Sequence, residues 1–268
     1  MATKVYLTEK KATLFITLYA KAQDSRSKRS ILHDTTADEL LKVVDYDFTK
    51  FKGKASDSLT VVRAKEYDDC ITEFIKTNTN AVVLYLGCGL DTRVSRINPP
   101  PSITWFDVDY PEVIKLRKNF YSDRNGYQMI ESSITDAAWL HTIPGDRPAL
   151  IITEGVLEYL AAEEVKTLLN RLTDYFHHGE IMFDIISPFA LELGKKELKE
   201  TTGAVHKWAV DEMREIDELN SRLTRIGNLS VFRSKYVQKL PFAFRLLFRL
   251  ASFVPRFRNM LRLVRYEF

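Results

Sequence analysis

Apolar residues follow two different rhythms along this chain. Short runs at Ala81–Leu86 (AVVLYL), Ile103–Val108 (ITWFDV), Gln128–Ser133, Ala149–Thr153 (ALIIT) and Glu180–Ile186 (EIMFDII) are too short for ordinary helices and rich in β-formers. The first and fourth lack any apolar/polar alternation, the signature of strands buried on both faces of a parallel sheet. Around them, apolar positions recur at helical spacing over Leu14–Ala22, Ala37–Val44, Ser58–Lys76, Pro111–Tyr121 and Glu163–Tyr175. In the last of these, Val165, Leu168, Leu169 and Leu172 share one side. Strand-helix alternation of this kind predicts an α/β fold. Phe189–Arg225 reads as charged and helical, and two further strands are expected near Ser230–Val237 and Leu261–Phe268. Between them Leu240–Met260 is apolar but carries Arg245, Arg249, Arg256 and Arg258. Such a segment can close a substrate pocket with its apolar face or lie on an acidic membrane surface. Pocket closure is the preferred reading, because the fold needs the apolar face.

The first run ends in Gly87-Cys88-Gly89, where missing side chains let the backbone turn sharply at the carboxyl end of the sheet. An ordinary tight turn would look the same. About twenty residues on, the second run ends in Asp109, the spacing at which a carboxylate meets the hydroxyls of an adenosine ribose. A dinucleotide fingerprint would place a third glycine where Thr92 stands. Its absence points away from a pyrophosphate and toward S-adenosylmethionine. The fourth run delivers Glu154-Gly155 to the same edge. Asp91 and Arg93, at the next helix start, suit capping and ion pairing, whereas Lys115, Arg117 and Lys118 read as a solvated helix face.

Three segments, LGCGLDTR, WFDVDYPEVIKLRK and ITEGVLEYL, in this order and spacing, resemble the leucine carboxyl methyltransferase family, and most closely its polyketide-type O-methyltransferase branch. The resemblance runs from Leu14 to Pro188 and more loosely to Phe268. It implies a Rossmann-like class I methyltransferase with a seven-stranded, mostly parallel sheet, helices on both faces and an N-terminal helical cap. The parts of that single domain would be the cap at 1–57, the cofactor-binding core at 58–188, a substrate lid at 189–228 and the C-terminal strands and helix at 229–268. By the same resemblance Arg63, in VVRAKEYDD, pairs with the methionine carboxylate, Gly87, Gly89 and Asp109 hold the nucleoside, and Glu154 meets the methionine moiety. Many family members have Asp-Leu at 133–134, so the adenine contacts fall to Ser133, Ile134 or Asp136. His206 and Trp208, in AVHKWAVDEMREID, are expected at the substrate. The catalytic candidates are Glu154, Tyr159 and His206.

With 268 residues the chain suits one α/β domain with additions. Its 39 Lys and Arg against 36 Asp and Glu leave too small a surplus for nucleic-acid binding by bulk charge. Two cysteines, Cys70 and Cys88, make no disulfide framework, and no metal-ligand spacing occurs. MATKVYLTEKK has no apolar run behind its lysines, so a cytoplasmic protein is expected. The expected activity is methyl transfer from S-adenosylmethionine to a hydroxyl or carboxylate oxygen of a small organic molecule. The alternatives are methylation of the C-terminal leucine carboxylate of a phosphatase subunit and a non-catalytic S-adenosylmethionine-binding protein.

Overall fold

The computed structural model describes residues 3–4, 13–51 and 55–268. Most of MATKVYLTEKK and the end of the expected loop at 45–54 lie outside them. Strands β1 (Thr3–Lys4) and β2 (Val44–Asp45) form a small parallel pair. The main sheet comprises β3 (Val82–Leu86), β4 (Thr104–Asp109), β5 (Tyr127–Glu131), β6 (Ala149–Thr153), β7 (Gly179–Ile186), β8 (Thr224–Ser230) and β9 (Leu261–Glu267). Its order is β5-β4-β3-β6-β7-β9-β8, with β9 antiparallel to both neighbours and the other pairings parallel. The expected seven-stranded, mostly parallel sheet is therefore present.

The continuous apolar runs are explained by cores on both faces. Val83, Tyr85, Trp105 and Ile152 join one core with Val62, Tyr67 and Ile71 of α3 (Ala55–Thr77). Their alternate neighbours Val82, Leu84, Phe106 and Ile151 join the opposite core with Leu168, Leu169 and Leu172 of α6 (Ala162–Tyr175). A third core ties α1 (Leu14–Ser25) and α2 (Thr35–Val43) to Val113 and Leu116 of α5 (Pro111–Arg117). The N-terminal helices thus pack across the carboxyl edge of the sheet. The short α4 (Arg93–Ile97) follows β3.

Four expectations change in the C-terminal third and in α5. The strand expected at Ser230–Val237 lies earlier, because 231–233 and 235–239 coil into 3-10 turns after β8. Ser234 causes the break: its hydroxyl accepts from the Tyr236 N–H and donates to buried Glu66. The charged stretch after β7 is helical only in α7 (Pro188–Thr202) and α8 (Arg214–Asp217), with extended chain between. Arg117 is fully buried rather than solvated, because Asp107 inside β4 pairs with it at 2.5 Å. The apolar segment after Leu240 forms α9 (Phe242–Ala251) and α10 (Pro255–Arg258) and contributes no residue to the cavity described below. Among the described residues no helix is long and apolar enough to cross a membrane.

Candidate functional site

Strand register brings the predicted residues together. Leu86 pairs with Val108 on one side and Thr153 on the other, and Thr153 pairs with Phe183. The next residues, Asp109, Gly87, Glu154 and Asp184, therefore form one row along the carboxyl edge. Between β3 and β6 the chain direction across the sheet reverses, which opens the crevice where α/β folds bind ligands. Gly87 has φ 70°, and a Cβ there would come within 2.5 Å of Val156 Cγ2, so only glycine makes this turn without displacement.

Asp109 faces the crevice while accepting from the backbone N–H of Gly89 at 2.8 Å and of Tyr110 at 2.7 Å. One donor reaches each oxygen, which leaves acceptor capacity on both for a vicinal diol. Burial raises this carboxyl to about 6, against those two N–H groups. Beneath the row lies a network of buried ions. Arg63 donates Nε to Glu154 at 3.0 Å and Nη1 to Asp184 at 2.8 Å, leaving Nη2 beside Gly155. Arg93 bonds both Glu154 and Asp68, and lies over the rings of Tyr85 and Tyr67 at 4.7 and 5.2 Å. Burial alone would push Glu154 up, but Lys21, Arg93 and Arg63 outweigh it and hold the carboxyl well below its usual range. Asp91 pairs with Lys21 at 2.8 Å and with Arg96 at 2.8 Å, as its predicted pairing role requires.

Above this floor an open cavity of about 280 Å³ is walled by α1, α3, the chain following β3, β4, β5 and β6, Leu198 of α7 and His206. It collects Arg63, Gly87, Gly89, Asp109, Ile134, Glu154, Tyr159 and His206. Ser133 and Asp136 do not reach it. Ser133 Oγ is bonded to Thr135 Oγ1, and Asp136 accepts from the Ala138 N–H on the exposed surface. Ser132, one residue earlier, lines the wall instead.

Known proteins place this geometry. A sequence model of leucine carboxyl methyltransferase matches residues 14–173. The chain is 35% identical, over the whole of both proteins, to the tetracenomycin polyketide synthesis O-methyltransferase TcmP of Streptomyces glaucescens. The chain belongs to the leucine carboxyl methyltransferase family. It is also 33% identical to the S-adenosyl-L-methionine-dependent methyltransferase dpfgK of Gibberella zeae, over 80% of each protein. In fold it is similar to a DUF574 family protein from Streptomyces avermitilis, with TM-score 0.63, 12% identity and 97% of each chain covered. The protein is an S-adenosylmethionine-dependent methyltransferase, and the residues present fit that cofactor. Asp109 offers a carboxylate to a ribose diol, and Arg63 Nη2 offers a donor at the far end of the row.

In this leucine carboxyl methyltransferase family member the part of the cavity around His206 and Tyr159 holds few paired groups. Among the described residues His206 Nδ1 is buried with no hydrogen-bond partner, and its ring lies 4.9 Å from that of Tyr159. Burial lowers the imidazole pKa, with Asp184 opposing, so the ring is neutral near pH 7. Tyr159, bonded to Thr13, is pushed up by burial and by Glu158. Trp208 is not at the cavity. In the extended chain after α7, residues 204, 206, 208 and 210 share the inward face, but one pleat beyond His206 that face has passed into the core around Val210 and Ile216.

Three residues of the site escape the sequence patterns. Lys21 lies on the helical face already assigned to packing. Asp184 interrupts EIMFDII as Asp107 interrupts ITWFDV, and an acid inside an apolar strand was the available signal. Glu158 is buried at the cavity, and burial and then Asp184 raise it to about 8 against Arg63.

Proposed function

We propose that the protein methylates an oxygen atom of a small, largely apolar molecule. The full-length likeness to TcmP, named an O-methyltransferase of polyketide synthesis, supports this reading. The observation that carries it is the make-up of the cavity lining. Leu14, Ile16, Val156, Leu160 and Leu198 line it together with His206, whose neutral ring has a nitrogen with no partner among the described residues. S-adenosylmethionine supplies a methyl group already activated on sulfur, so the protein has to position the acceptor, exclude water and deal with its proton. Apolar side chains from α1 and α7 exclude water. His206 is a base poised for a hydroxyl proton, whereas a carboxylate acceptor is already ionised and needs none. Glu154 is unsuited to that task, because its arginine partners occupy both oxygens and leave it too weak a base to hold the proton. It positions Arg63 instead.

Kinetics of the His206→Asn variant test the assignment. With a phenolic acceptor kcat should fall by about 10² and lose its acid limb, while KM for S-adenosylmethionine stays unchanged. An undiminished kcat on every hydroxyl acceptor would remove His206 from the reaction. Turnover only with a peptide ending in leucine would favour the protein carboxyl methyltransferase reading.

A further inference from the structure

Helix α9 is amphipathic in the reverse sense for a globular protein. Its inner face, Phe244 and Phe248, packs on the body, with the Phe248 ring 5.2 Å from Phe232. Phe242, Leu246, Leu250 and Phe253 recur at spacings of four, four and three residues, and so form a single stripe on the side facing away from the protein. They are 70%, 46%, 58% and 69% exposed, and Val254 and Phe257 extend the stripe to α10. A contiguous apolar ridge of this size marks an interaction site.

The flanking charges identify the occupant. No Asp or Glu occurs between Glu218 and Glu267, whereas Arg and Lys recur throughout that stretch. Lys235 and Arg265 are balanced by Asp69 and Glu73 of α3. Among the described residues Arg245, Arg249 and Arg256 have no carboxylate partner, and Arg256 lies over the Phe189 ring at 3.8 Å. Two copies meeting through this ridge would set arginines against arginines with no acid to separate them. Anionic headgroups complement it, since the stripe can sink below the headgroups while the arginines stay among the phosphates.

We propose that α9 and α10 are a docking surface for anionic bilayers, holding the enzyme at the membrane as a peripheral protein. Phe189, which joins the ridge through Phe257 at 5.5 Å, begins α7, and Leu198 of the same helix lines the cavity. The docked surface is thus about 13 Å from the site.

Sedimentation with vesicles tests this. The full chain should bind phosphatidylcholine vesicles containing phosphatidylglycerol at least about tenfold more than phosphatidylcholine alone, and high salt should release it. Arg249→Glu with Arg256→Glu should cost roughly tenfold or more in bound fraction. Leu246→Ser, Leu250→Ser and Phe253→Ser together should reduce binding to background, with S-adenosylmethionine affinity unchanged as the check that the exposed substitutions leave the body folded. Wild-type protein that stays in the supernatant with anionic vesicles would overturn the proposal, as would pelleting that the triple variant leaves intact. A dimer that the triple variant dissociates, without vesicle binding, would give the ridge to a second copy.

Discussion

The two walls of one cavity are built on opposite principles. On the Asp109 side each charged group has its partner: Asp109 holds two backbone N–H groups, Glu154 two arginines, Asp91 a lysine and an arginine. On the His206 side the imidazole Nδ1 has none among the described residues, and burial displaces both His206 and Glu158 toward their neutral forms. Glu154 and Asp91, paired with arginines and lysine, keep their charge, and although burial raises Asp109 its two N–H partners fix its geometry, which suits a wall that must present the same cofactor at every turnover. A neutral, unpartnered imidazole can exchange a proton or be covered by an apolar molecule, which suits the wall that receives an acceptor.

The sharpest way to break the first wall is Arg93→Met. Asp68 and Glu154 would each lose one of two arginine partners, keeping Arg96 and Arg63 respectively, and stability in urea denaturation should fall by up to about 3–5 kcal/mol. A loss under about 1 kcal/mol would show that the network relaxes without it. Asp109→Asn comes next. A carboxylate accepting from a ribose diol contributes about 1.5–3 kcal/mol, so calorimetric affinity for S-adenosylmethionine should weaken by roughly 10–100-fold. In the wild type the same affinity should decline as pH falls through about 6, where Asp109 takes up a proton, and the variant should lack that dependence.

Glu158→Gln sharpens the second wall. The folded carboxyl is raised from an ordinary 4.5 to about 8, so the native chain holds a proton that the unfolded chain has released. Its contribution to stability is complete below the unfolded value and is lost as pH rises toward 8, at a slope of at most about 1.4 kcal/mol per pH unit. The glutamine variant should flatten that decline in thermal melts from pH 5 to 8. The smallest effect belongs to Asp136→Ala, whose side chain makes only an exposed local bond. Cofactor affinity should change by less than about threefold.

The first wall was largely legible in the residue pattern, and the second was not. Gly87, Asp109 and Glu154 each end an apolar run, and strands of a parallel sheet end together, so adjacency in space follows from three local patterns. Arg63 came from the family resemblance alone, since an arginine on a charged helix has no local mark of burial. Its depth depends on Asp184, which sits in a strand that carries no motif. Arg117 shows the same failure in reverse, since helix periodicity and charge order gave it to solvent while a single acid in β4 drew it inward. Trp208 shared a face with His206, yet one pleat decided between cavity and core. For α9 the spacing of apolar residues identified an amphipathic helix, but spacing does not say which side the body occupies.

The proposal that the cavity carries methyl groups to oxygen has one direct test. The direct measurement is to incubate the protein with S-adenosylmethionine labelled with 13C in its methyl group and a panel of small phenols and aromatic carboxylic acids, then locate the label by NMR. The account predicts a 13C methyl resonance in the methoxy or methyl-ester region, with the label bonded to oxygen. Label found on nitrogen or carbon, or no transfer from a protein that binds S-adenosylmethionine, would contradict it.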